Sequence, residues 1–117
     1  MKTVLNTRGR IASLCPSDTN EIQLYVVPAL TEIDGVLRVC NKNGVTCTFS
    51  VAHCTAGHGN VSAGDSDWLF YRYSLVGNTT IEISIHAGPT ETVRVASGTG
   101  SYINFHLSGN TKLTTEA

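Results

Sequence analysis

His53, Cys54 and His58, followed by Asp65, Ser66 and Asp67, place the side-chain types that hydrolases and metal sites use within fifteen residues of chain. A serine hydroxyl turns nucleophilic when a histidine accepts its proton and a carboxylate orients the ring, so the fragments Ala52-His53-Cys54 and Gly64-Asp65-Ser66 are the first to weigh. Imidazole nitrogen and thiolate sulfur are the donors zinc prefers, and Cys47 on the preceding segment adds a second thiol to His53, Cys54 and His58. Their spacing matches no standard zinc knuckle, and the chain has no Cys-x-x-Cys. Thiols buried beside surface histidines, with no metal and no cofactor, are therefore the expectation.

The two fragments resemble the histidine and serine motifs of chymotrypsin-like proteases, but the resemblance fails on architecture. In that family the motifs lie in separate barrels of a chain twice as long, and here a short loop divides them. Asp65-Ser66-Asp67 also lacks the paired glycines that follow the nucleophile and shape the oxyanion site. No catalytic residue is expected, and the chain reads as a non-enzyme. A different use for the same loop is sugar binding: His58, Asn60, Asp65 and Asp67 offer hydrogen bonds beside Trp68, whose ring could stack on a pyranose. Packing at the core or rim is the commoner role for such a tryptophan. The connection from Cys54 to Asp67, rich in glycine, is long for a compact domain, which makes it the best candidate place for a ligand.

The elements around this loop read as strands. From Trp68 to Leu107 four apolar-alternating segments follow one another across short turns, the pattern of an antiparallel meander. Gly77-Asn78 supplies the positive-φ residues of a two-residue hairpin, and Asn41-Lys42-Asn43-Gly44 reads as another hairpin leading into the segment that carries Cys47. Cys47 shares a face with Val45, Phe49 and Val51, where a free thiol serves as a small hydrophobe. Earlier in the chain, 21–27 and 36–40 are strand-like, and Ala29 to Asp34 is either a helical turn or an irregular connection. The expected fold is all-β, an antiparallel sandwich of seven or eight strands, jelly-roll-like or meander, with a closed antiparallel barrel as the alternative. Its expected divisions are an extended N-terminal arm over 1–14, the sandwich over 15–108 and a flexible tail over 109–117.

Trp68 and Phe70 alternate onto one face of their strand, and Leu69, Tyr71, Tyr73 and Leu75 onto the other, so both faces need cover. Tyr71, Tyr73, Tyr102 and His106 are accordingly the candidate surface between copies. His86, like His106, falls on a polar face, where a solvated imidazole is the usual outcome.

The formal net charge is −1, which points neither to nucleic acid nor to an anionic membrane. The distribution is uneven: Lys2, Arg8 and Arg10 precede every acidic residue of the chain. With Val4, Leu5 and Ile11 they make a cationic, partly apolar arm suited to docking on a neighbouring subunit or larger partner. No apolar run has membrane-spanning length, and polar residues interrupt the opening segment before it could serve as an export signal. The four cysteines, Cys15, Cys40, Cys47 and Cys54, are then expected to be reduced, although their pairing stays open.

A basic arm, a compact Thr/Ser/Gly-rich antiparallel domain and a short polar tail resemble the layout of the head decoration, or cement, proteins of tailed bacteriophages. That resemblance implies a β-rich, frequently trimeric structural protein that sits on the capsid exterior and clamps neighbouring shell subunits with its arm. It rests on organisation and carries over no binding residue. The function expected is a non-enzymatic protein that self-associates and docks onto a larger assembly, with a small lectin-like module as the alternative. Localisation would be the virion, or else the cytoplasm.

Overall fold

Alternation with a period of two runs through most of the chain, and the computed structural model, which describes residues 2–116 and the side chains of 3–115, is built of eight strands without a helix. They are β1 (Lys2–Leu14), β2 (Ile22–Val26), β3 (Thr31–Asn41), β4 (Cys47–Cys54), β5 (Trp68–Leu75), β6 (Thr80–Ala87), β7 (Thr92–Ser97) and β8 (Ile103–Glu116). One antiparallel sheet has the order β1-β8-β3-β6 and the other β2-β7-β4-β5. This is the jelly-roll order, two interleaved Greek keys.

Among the described residues β4 and β5 pair as neighbours in sequence, but none of β5 to β8 pairs with the next, so the meander expected from Trp68 to Leu107 is not formed. Every connection except the long one from β4 to β5 carries the chain from one sheet to the other. An alternating strand needs one face buried, and the inner face of either sheet meets that need equally well. The two expected hairpins are instead crossing turns that lock together. Asn41, fully buried, donates from Nδ2 to the carbonyls of Val45 and Leu75, both 2.9 Å away, and accepts the Asn43 N–H at Oδ1. Asn78 N–H then donates to the Asn43 carbonyl at 3.0 Å. A Cβ on Gly77 would lie 2.5 Å from the Gly44 carbonyl carbon, so only glycine lets the turns approach this closely.

The expected N-terminal arm is likewise not free. Residues 2–14 form β1 and pair with β8 from Lys2↔Glu116 to Leu14↔Phe105, with a bulge between Arg10 and Ala12. The expected tail over 109–117 supplies the other half of that ladder up to Glu116, and Met1 and Ala117 lie outside the described residues. Thr31 to Asp34, ambiguous in sequence, belongs to β3, because the tail gives it a partner: Thr31 stands opposite Leu113 and Asp34 opposite Asn110. The strand pairings resolve what local propensity could not.

Leu37, Val39, Ile83, Ile85, Ile103, Phe105 and Leu107 of the first sheet face Phe49, Val51, Leu75, Val93 and Val95 of the second, and all are buried. Cys47 is part of this core, as its alternation predicts, while Val45 stays exposed in the turn before β4. On β5 the predicted faces are rearranged. The ladder to β4 slips between Tyr73 and Phe70, Arg72 takes a φ of +49°, and its N–H donates to Ser50 Oγ at 2.8 Å. This bulge separates Tyr71 from Tyr73. Tyr73 packs edge-on against Phe49 and Phe70, with centroids 5.7 and 5.1 Å away, whereas Tyr71 meets Trp68 at 5.1 Å.

Candidate functional site

The long loop is organised by a residue that strand reading treats as ordinary. Arg94 lies on β7, an inner strand of its sheet, on the face turned away from the sandwich core, and it is buried. A buried guanidinium requires a counter-charge and hydrogen-bond acceptors. Glu21, just before β2, bonds its Nε, and Asn60 Oδ1 accepts from Nη1 at 2.9 Å. The same Glu21 carboxylate accepts the Ala63 N–H at 2.9 Å. Two points of the loop are thus tied to one ion pair, and the loop covers the outer face of β4, where Ala52 and Cys54 are fully buried.

The loop is held from its other side as well. Gly57 N–H donates to the carbonyl and hydroxyl oxygens of Thr90 at 3.2 and 3.1 Å, and His53 N–H donates to the Asp67 carbonyl at 2.9 Å. Gly57 and Gly59 have φ of +76° and +72°, conformations that suit glycine where the chain reverses. Within this frame His58 Nε2 lies 2.9 Å from the Val61 carbonyl and 3.1 Å from that of Ser62, and Asp67 Oδ2 accepts the Gly64 N–H at 2.9 Å. Burial and the adjacent Asp67 carboxylate push the Cys54 thiol up to about 11, with Arg94 acting in the opposite direction. Cys54 is therefore a protonated thiol at neutral pH.

His53 projects elsewhere. Its Nε2 is 2.7 Å from Glu91 Oε1, and the same carboxylate accepts the Gly88 N–H at 2.8 Å. The Gly88 amide, and after it His53, hold the Glu91 carboxyl below the usual carboxylate range. An open cavity of about 410 Å³ adjoins this pair, lined also by Glu32, Asp34, His86 and Lys112. His86 bonds Asp34 across the β3–β6 ladder. Among the described residues no hydrogen bond joins His53 to Asp65 or Ser66, and Ser66 lies exposed in the loop.

The candidate ligand residues divide into two groups. His58 and Asp67 gather at Cys54, and Asn60 serves Arg94. Asp65 and Trp68 turn towards Tyr71, and these three line an open cavity of about 380 Å³ with the Arg72 guanidinium 5.2 Å from the Tyr71 ring centroid. The residues expected between copies do not form one surface. Tyr71 and Tyr73 are on β5 of the second sheet, His106 is on β8 of the first, and Tyr102 lies in the turn before β8. Val4, Leu5, Arg8, Arg10 and Ile11 line β1, the first four of them exposed, and the Lys2 side chain lies outside the described residues. Spacing in the chain hides the meeting of Arg94, Glu21 and Asn60. The one available signal was an arginine within the apolar run Thr92-Val93-Arg94-Val95-Ala96.

No family model matches this chain, and no curated protein does. Among solved structures, a chain from the structure of infectious bursal disease virus, Gx strain, superimposes with a TM-score of 0.48 at 12% identity. The match covers 97% of the present chain and 33% of that one, so this chain spans about a third of that chain's length. A likeness at that level carries no argument about function.

Proposed function

We propose that this protein is a non-enzymatic structural module that associates with copies of itself and docks onto a larger protein assembly, in the manner of capsid-decorating proteins. The observation that carries this reading is the state of β1. Among the described residues it is bonded on one side only, to β8, which leaves the backbone donors and acceptors of its other edge available over thirteen residues. Such an edge is a template for an added strand. Residues 3–10 are exposed, including Val4 and Leu5 at 43% and 55%, so apolar surface accompanies the open edge. Arg8 and Arg10 make the edge cationic, which favours an acidic strand of the larger assembly as its partner. The docking element is thus a strand edge in place of the extended arm that the sequence suggests.

Sedimentation equilibrium tests the self-association. The native chain is expected to gain mass with concentration, and the double variant V4K/L5K to remain monomeric while keeping its far-UV spectrum. A constant monomer mass for the native chain at every concentration would overturn the proposal.

A second reading rests on the Asp65, Trp68 and Tyr71 cavity, which sets a carboxylate beside two aromatic rings at the end of β5. Carbohydrate binding would use the rings for stacking and Asp65 for hydroxyl groups. A glycan array decides it, since binding that disappears in Trp68→Ala and Asp65→Ala is the expected result for a lectin.

A further inference from the structure

We propose that Cys54 Sγ, a ring nitrogen of His58 and a carboxylate oxygen of Asp67 form a binding site for a first-row divalent transition ion, zinc by donor preference, that fastens the 55–67 loop to the end of β4. The three donor atoms lie within 4.8 Å of one another. Ligand atoms around a tetrahedral zinc are about 3.5 Å apart when the metal–sulfur and metal–nitrogen bonds have their normal lengths. A closure of roughly an ångström by a loop side chain reaches that geometry, without movement of the strand that holds Cys54.

The surrounding bonds orient the donors as the outer shell of a metal site does. Carbonyl oxygens only accept, so the two that flank His58 Nε2 require that nitrogen to carry the proton, which leaves the lone pair on Nδ1. The Gly64 N–H fixes one oxygen of Asp67 and leaves the other for the ion. The Asp67 backbone is anchored at both ends, its N–H donating to the Gly64 carbonyl at 3.1 Å and its carbonyl accepting the His53 N–H. Cys54 is placed by the β4 ladder.

Charge and softness select the ion. A thiolate, a carboxylate and a neutral imidazole sum to two negative charges, which a dication neutralises as the thiol proton passes to solvent. The adjacent Arg94 does not oppose this, because Glu21 already compensates it. A sulfur donor disfavours calcium and magnesium, and three protein donors leave the fourth tetrahedral position to water.

Cobalt(II) titration of the full chain, stripped with chelator and kept reduced, tests the site. One equivalent is expected to produce a sulfur-to-cobalt charge-transfer band with tetrahedral visible bands, and zinc should displace them. The band should vanish in Cys54→Ser and remain in Cys15→Ser. Cobalt affinity should fall more than roughly tenfold in His58→Ala and in Asp67→Asn. Those two loop variants keep the test decisive should Cys54→Ser fail to fold. Absence of the band in the native chain, its persistence in Cys54→Ser, or unchanged affinity in both loop variants would each overturn the proposal.

Discussion

Glu91 accepts two hydrogen bonds, from the Gly88 amide and from the His53 ring, and both favour its ionised form. Its pKa is therefore lower in the folded chain than in the unfolded one. A group shifted in this direction contributes stability that is fully present above the ordinary carboxylate pKa and is lost as pH falls through the lower folded value. Replacing Glu91 with Gln should cost about 1 kcal/mol at neutral pH and flatten the acid limb of the stability curve, as urea denaturation between pH 7 and pH 3 would measure. An unchanged acid limb would mean that the carboxylate is bonded equally well in the unfolded chain. Arg94 illustrates a different situation, a buried guanidinium whose charge is matched by Glu21. Its environment must adapt to it, and the loop residues Asn60 and Ala63 are held in place through it and Glu21.

At the scale of elements, the first sheet carries a row of glycines: Gly9 on β1 stands opposite Gly109 on β8, which stands opposite Gly35 on β3. Ile85 of β6, which is buried, completes the row. The glycines are not equivalent. Gly9 has a φ of +144° and nothing within 4 Å of an added Cβ, so alanine there meets backbone strain alone. Gly109, with a φ of +152°, would set a Cβ 2.3 Å from the Asp34 carbonyl oxygen. Gly9→Ala should cost about 1–3 kcal/mol, and Gly109→Ala clearly more, because strain and a backbone collision add. Chemical denaturation of the two variants measures the difference. Equal costs would show that β3 and β8 can separate without penalty.

Seen whole, the molecule is elongated, 54 × 27 × 20 Å, because β1, β8 and the start of β3 extend the first sheet lengthwise. Deleting residues 109–117 tests how far this ladder is integral to the fold. Strand β1 would lose its partners from Lys2 to Gly9 and β3 those from Thr31 to Gly35, so the melting temperature should drop by several degrees or the domain should fail to fold. A dispensable tail would leave it unchanged in calorimetry. The same strand order leaves β1 outermost in its sheet, with one edge open.

Alternation alone pointed to an all-β chain of antiparallel sheets with Cys47, Phe49 and Val51 on one buried face, since a strand shows its buried face every second residue. The long connection after Cys54 was also legible, from its glycines and from the lack of any period. Tertiary structure alone decided which sheet each strand joins, that both chain ends close a ladder together, and that Cys54, His58 and Asp67 converge beside Arg94 and Glu21. The physical reason is one of range: periodicity reports the direction of a side chain, whereas pairing and convergence depend on partners that can be a hundred residues away, as Lys2 and Glu116 are.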